Sequence, residues 1–255
     1  IASCNGHTDV VKLLLAQDVV DVNRAQKDGW TPLNIASCNG RTDVVKLLLA
    51  HDGVEVNQAQ KDGWTPLCIA SCNGRTEVVK LLLGHDGVEV NQATNDGWTP
   101  LYSAIQNGRT DVVELLLAHD SVEVTQAQND GQTPLYSASQ SGRTEVVKSL
   151  LAQDGVEVNQ ANKKGATPLF IASQNGHTDV VKLLLAHDGV EVNQAYKTGA
   201  TPLFIASQNG HTEVIKFLLA QDDVEVNQAQ NDGWTPLTVA SQNGHTEVVK
   251  VLLQA

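Results

Sequence analysis

Methionine is absent from these 255 residues, aromatic side chains make up 4%, and 17 lysines and arginines face 29 aspartates and glutamates. Each shortage removes a class of function. The balance of 17 − 29 = −12 formal charges repels phosphodiester backbones and anionic lipid headgroups, so a basic or neutral protein is the expected partner. No apolar run approaches the roughly 20 residues of a membrane span, and no charged-then-apolar leader opens the chain. A soluble, cytoplasmic protein is expected. Glycine-rich phosphate loops are missing, and no serine, cysteine or carboxylate stands apart from its neighbours as a unique nucleophile or base. Neither an enzyme nor a cofactor site is expected.

What is present is repetition. All 7 prolines lie in Thr-Pro-Leu triplets beginning at Thr31, Thr65, Thr99, Thr133, Thr167, Thr201 and Thr235, one every 34 residues. This register divides the chain into a partial unit over 1–27, full units over 28–61, 62–95, 96–129, 130–163, 164–197 and 198–231, and a partial unit over 232–255. The unbroken register leaves no room for a linker, which predicts one elongated domain over 1–255. Such arrays bury their core between neighbouring copies and offer a long surface without needing a pocket. The ends look cut through a unit. Val248, Val249, Val251, Leu252 and Leu253 keep the interior apolar pattern where a terminal unit would carry polar replacements. A longer array, or end-to-end association of copies, is expected from that.

The second full unit shows the local logic. Thr65 can cap a helix with its hydroxyl while Pro66 takes the first helical position, where a missing N–H costs nothing. A short inner helix follows through Leu67, Ile69, Ala70 and Ser71, and Asn73-Gly74 ends it because glycine accepts the left-handed conformation. Thr76 and Glu77 are read as the cap and favourable dipole charge of a second helix, whose apolar face is Val78, Val79, Leu81, Leu82 and Leu83. Asp86-Gly87 then turns the chain into Val88-Glu89-Val90, too short for a free-standing sheet, and a polar turn leads to the next Asp-Gly. The unit is therefore expected to be helix, tight turn, helix and projecting hairpin.

The string Asp62-Gly63-Trp64-Thr65-Pro66-Leu67, with Ala70, Asn73-Gly74, Glu77-Val78-Val79-Lys80-Leu81-Leu82-Leu83 and Val90-Asn91, resembles the ankyrin repeat, and it recurs in every copy. The resemblance implies an all-α ankyrin-repeat solenoid of stacked helix-turn-helix units with projecting β-hairpin loops. It further implies a concave protein-binding face made of hairpin tips and inner helices. Two features depart from the pattern. Histidine usually follows Thr-Pro-Leu, whereas Asn34, Cys68, Tyr102, Tyr136, Phe170, Phe204 and Thr238 stand there, which puts the usual threonine–histidine hydrogen bonding in question. Each unit is also one residue longer than the common 33, and the extra residue falls near Asp86-Gly87 in this copy.

Columns that never vary are explained by packing, so function is sought where the copies differ. The tips carry Trp30, Trp64, Trp98, Gln132, Ala166, Ala200 and Trp234. The first three predict a row spaced by about one helix diameter, roughly 10 Å. Such a row serves either as a set of binding anchors or as indoles that stiffen adjacent hairpins. Lys163, Lys164 and Lys197 beside Tyr196 form a locally basic zone, either a dock for an acidic segment or plain solvated turn residues. The tip residues Trp30, Trp64, Trp98 and Trp234, with Lys163, Lys164, Tyr196 and Lys197, are the candidate partner-binding set. Ser149, in place of a leucine read as core, predicts the weakest packing in the unit over 130–163.

Metal and disulfide chemistry find little support. Cys4, Cys38 and Cys72 share a column whose spacing of roughly 10 Å exceeds the approximately 7 Å reach of a disulfide. Free thiols suit a reducing compartment. His7, His177, His211 and His245 precede the second helix, and His51, His85, His119 and His187 end it, where a cation suits the dipole. Each column spaces its members too widely to share one ion. The expectation is a non-catalytic interaction scaffold for a protein partner, the alternative a structural spacer, spring or filament.

Overall fold

A computed structural model describes all 255 residues, Ile1 to Ala255. They fall into two compact units, Ile1–Asn129 and Asp130–Ala255. The first contains α1 (Ala2–Asn5), α2 (Thr8–Leu15), α3 (Pro32–Asn39), α4 (Thr42–Leu49), α5 (Pro66–Asn73), α6 (Thr76–Leu83), α7 (Pro100–Gln106) and α8 (Thr110–Leu117). The second contains α9 (Pro134–Gln140), α10 (Thr144–Leu151), α11 (Pro168–Asn175), α12 (Thr178–Leu185), α13 (Pro202–Asn209), α14 (Thr212–Leu219), α15 (Pro236–Gln242) and α16 (Thr246–Leu252). Both units are all-α.

In each unit the helices pair within a repeat and stack like on like. In the first, α1, α3, α5 and α7 form one row and α2, α4, α6 and α8 the other; in the second, α9, α11, α13 and α15 stack beside α10, α12, α14 and α16. Helices of seven or eight residues are marginal alone, so burial between copies must hold them. In α5 and α6 the buried apolar residues include Leu67, Ala70, Val78, Val79 and Leu82, and the same columns are buried at Leu169, Ala172, Val180, Val181 and Leu184. Each leucine so placed is worth about 1.5–3 kcal/mol relative to exposure.

The first helix starts as its sequence predicts. The Thr65 hydroxyl accepts the backbone N–H of Cys68 at 3.1 Å, Pro66 occupies the first turn, and Gly74 closes the helix at φ 68°. This cap uses a backbone donor and so does not require histidine at the position, and the same bond recurs from Tyr102, Phe170 and Phe204 to their threonines. At Asn34 and Thr238 the side chain also reaches back to the threonine N–H, which completes a reciprocal cap.

The second helix starts differently from the expectation. Thr76 is already helical, Arg75 occupies the capping position, and no side chain caps it. The cause is the tight link: Gly74 turns left-handed, the Arg75 N–H returns to Ala70 O at 2.9 Å, and the next residue enters the helix directly. The preceding column does other work. Arg41, Arg75 and Arg109 donate Nε to the carbonyls of Cys4, Cys38 and Cys72 at 2.9–3.0 Å. His177, His211 and His245 bring Nε2 to the carbonyls of Gln140, Gln174 and Gln208 at 3.0 Å. Either residue satisfies carbonyls at the end of the preceding inner helix.

No strand forms, which corrects the projecting β-hairpin. Val56, Val90, Val158 and Val192 bury their side chains in the stack, and asparagine side chains hold the segment in place of a partner strand. Asn57 donates Nδ2 to Gly87 O at 2.7 Å and accepts the Glu89 N–H through Oδ1 at 2.9 Å. The turn that holds the extra residue is closed by His85, which lies just past α6 and whose Nδ1 accepts the Gly87 N–H at 3.2 Å. His85 thus acts as a turn-closing acceptor, a role its place at the helix end did not predict. Ser149 also departs from expectation: its column, with Leu47, Leu81 and Leu183, is half-buried, so the lost side chain came from the margin of the core.

Candidate protein-binding surface

Each tip is a tight turn closed by its own backbone. Gln60 N–H donates to Trp64 O at 3.1 Å, Gly63 N–H to Gln60 O at 2.9 Å, and Gly63 takes φ 84°. A side chain at Gly63 would strike the next tip, with the Asn95 backbone nitrogen 2.7 Å from the position of its Cβ. Glycine here permits both the turn and the close approach. Successive tips are joined by single backbone bonds, Lys61 N–H to Asp28 O at 3.3 Å and Asn95 N–H to Asp62 O at 3.0 Å. The tips are therefore a connected edge within the unit.

Along that edge of the first unit the indoles meet. Trp64 and Trp98 have ring centroids 6.1 Å apart at 55°, and Trp98 meets Tyr102 edge-on at 5.2 Å. The spacing is shorter than one helix diameter because the rings lean toward each other. Both tryptophans, and Trp30 one repeat earlier, are half-buried, so each ring keeps open surface. Trp30 lines a hollow of about 460 Å³ with Ile35 and Cys38. Beneath Trp98, Cys68 Sγ lies 3.6 Å from its carbonyl and 3.3 Å from Ser103 Oγ. Burial, only partly offset by that hydroxyl, pushes the Cys68 thiol up to about 12.

The second unit is built differently on the same face. Ala166 and Ala200 stand where the first unit has tryptophan, and a cleft of about 480 Å³ opens beside them. Its wall carries Tyr136, Phe170, Tyr196 and Phe204, and the ring of Tyr196 lies on that of Phe170, with centroids 5.2 Å apart and planes within 13°. Lys163, Lys164, Asp130 and Gln132 form its rim on the tip side. Burial, then the charge of Asp130 and the phenol of Tyr196, raise the Tyr136 phenol, against a hydrogen bond from Asn162.

Of the candidate set, Lys163, Lys164 and Tyr196 share this cleft, whereas Trp64 and Trp98 form the first unit's aromatic pair. Lys197 is exposed, with its backbone nitrogen against the Gly165 turn and its side chain outside the cleft lining. Trp234, on the last tip, is 37% exposed. Sequence reasoning missed Gln140, Gln174 and Gln208, which continue the cleft along the inner helices. A signal existed: the column holding Cys4, Cys38 and Cys72 changes to glutamine from Gln106 onward.

The comparisons agree with this geometry. A family model for ankyrin repeats matches residues 1–60, 52–128, 120–196 and 189–255. The chain belongs to the ankyrin repeat family. Comparison with curated proteins gives no significant match. Ankyrin repeats generally mediate protein–protein interactions and are generally non-enzymatic. In this ankyrin repeat chain no three of histidine, cysteine, aspartate and glutamate come together as a metal-binding group, and no helix is long and apolar enough to cross a membrane.

Proposed function

We propose that the chain is a non-catalytic scaffold that binds a protein partner on the face made by the tips and inner helices. The observation that supports this is where the copies vary. The leucine, alanine and valine columns of the core repeat almost unchanged, while the tip column changes from tryptophan to glutamine and alanine. Trp30, Trp64, Trp98, Gln132 and Trp234 keep open surface at the tips, so that variation falls where a partner can reach it. Trp30, Trp64, Trp98 and Trp234 supply aromatic anchors, and Lys163, Lys164, Tyr196 and Lys197 a basic, aromatic zone. The four cysteines are unpaired, which supports a reducing, intracellular setting.

The test is capture with the whole chain and with a Trp30→Ala, Trp64→Ala, Trp98→Ala variant, with thermal melts of both. Loss of a reproducible protein partner by a variant that still melts cooperatively well above the capture temperature supports the reading. Retention of every partner by the variant removes the tryptophans from the site.

A structural spacer or end-to-end filament is the second reading, favoured by one observation: the units are close to identical over most of their 34 residues. Sedimentation that stays monomeric up to high concentration would remove the filament form of this reading.

A further inference from the structure

The two alanine tips differ from the others in more than the missing indole. Four tips read Asp-Gly-Trp, at Asp28, Asp62, Asp96 and Asp232, and one reads Asp130-Gly131-Gln132. The remaining two read Lys164-Gly165-Ala166 and Thr198-Gly199-Ala200. Two carboxylates and two indoles are thus replaced together, at adjacent positions, on the tips that border the 480 Å³ cleft. The turn itself is unchanged: Gly165 and Gly199 keep φ 89° and 82°, and Asn162 and Tyr196 donate to the alanine carbonyls at 2.9 Å. The space belongs to the side chains and not to a distorted backbone.

The first unit shows what chemistry fills such space. There Trp98 leans on Trp64 and meets Tyr102 edge-on at 5.2 Å. Phe170 and Phe204 occupy the Tyr102 column in the second unit, but the residues corresponding to Trp98 are Ala166 and Ala200. The aromatic wall remains without an indole against it, and Phe170 keeps one ring partner, Tyr196. Tyr196, in a column otherwise held by glutamine, threonine or asparagine, adds another ring, and Lys163 and Lys164 stand exposed on the rim. Asp130 is the one carboxylate of the lining. In a chain with a formal charge of −12, this is a local excess of positive charge.

We infer that the cleft accepts an aromatic side chain from an acidic segment of a partner protein, whose ring takes the place that tryptophan holds in the other tips while its carboxylates face Lys163 and Lys164. This rests on the protein-binding reading above and gives it a partner chemistry. The incoming ring finds its contact area chiefly on the half-buried Tyr196, over the buried Phe170 and Phe204, and the lysines select the charge of the flanks.

The test uses a phage-displayed library of random nonapeptides panned on the whole chain, with the enriched sequences resynthesised and followed by fluorescence anisotropy. Two variants accompany it. Ala166→Trp with Ala200→Trp fills the cleft with the residue four other tips carry, and Lys163→Gln with Lys164→Asp changes only exposed side chains. Enrichment of peptides with an aromatic residue among carboxylates, weakened about tenfold or more by each variant and by raised salt, is expected. Peptides that bind both variants as well as the parent overturn the cleft and leave the broader reading standing. Basic or purely aliphatic peptides lost on filling the cleft overturn the stated chemistry. Failure to enrich any peptide on any surface counts against both readings.

Discussion

Trp64 and Trp98, 34 residues apart in sequence, hold their indole rings 6.1 Å apart at 55°, so one residue type in consecutive repeats becomes a contact. The contact joins two tips that are otherwise tied by a backbone bond and by Asn95 Nδ2 on Lys61 O at 3.0 Å. Trp98 also covers the edge of Tyr102. Trp98→Ala is expected to cost about 2 kcal/mol, less than for a fully buried ring, and to remove the near-ultraviolet circular dichroism of the coupled indoles. A denaturant melt checks the first and the spectrum the second. An unchanged spectrum would mean that the rings do not couple in solution.

The asparagine clamp carries a cost of its own. Asn57→Ala removes both the bond to Gly87 O and the acceptor for the Glu89 N–H, and the site is open to water, which compensates in part. A loss of about 1 kcal/mol is expected in chemical denaturation, with faster amide exchange confined to the turn at Gly87–Glu89.

Ser149 lies in a half-buried column, next to the fully buried Leu150. Ser149→Leu is therefore expected to stabilise the chain by about 1 kcal/mol, not by the several that filling a closed core would give. A rise in melting temperature of a few degrees would agree; a fall would show that the site cannot accept the larger side chain.

Cys68 should behave unlike the other thiols. It is buried and its thiol is pushed up to about 12, chiefly by desolvation, whereas Cys4, Cys38 and Cys72 are partly open. An aromatic disulfide reagent at pH 8 should modify three cysteines in the native chain and the fourth only on unfolding. The linkage has a definite sign. Because the folded-state value lies above the ordinary thiol value of 9.0, the stability due to the neutral buried thiol is complete below about pH 9 and is lost as pH rises toward 12. Cys68→Ala should flatten that alkaline decline relative to the parent in melts between pH 8 and pH 11.

Much of the local structure was legible because it depends on neighbours a few residues away. The Thr65 cap, Pro66 in the first turn and left-handed Gly74 follow from hydroxyl reach, a fixed φ and a missing Cβ, and all three are present. The departures have two causes. Thr76 lost its capping role to the short Gly74-Arg75 link beside it, and the segment after Asp86-Gly87 is held by the Asn57 side chain of the preceding repeat, which accepts the Glu89 N–H. Ser149 was misjudged for a related reason: periodicity marks the apolar face of a helix but not how deeply each position on that face is covered.

By itself the sequence determined the repeat, its all-α character, its helix boundaries to within a residue or two and the columns that pack. Those depend on chain stereochemistry and on apolar periodicity, which are written along the backbone. Only the tertiary structure decided that Trp64 leans on Trp98, that Tyr196 stacks on Phe170, and that Ala166 and Ala200 leave an open cleft beside two lysines. These relationships depend on side-chain direction across stacked repeats, where residues 26 to 34 positions apart become neighbours, and no local rule fixes how two such rings will turn.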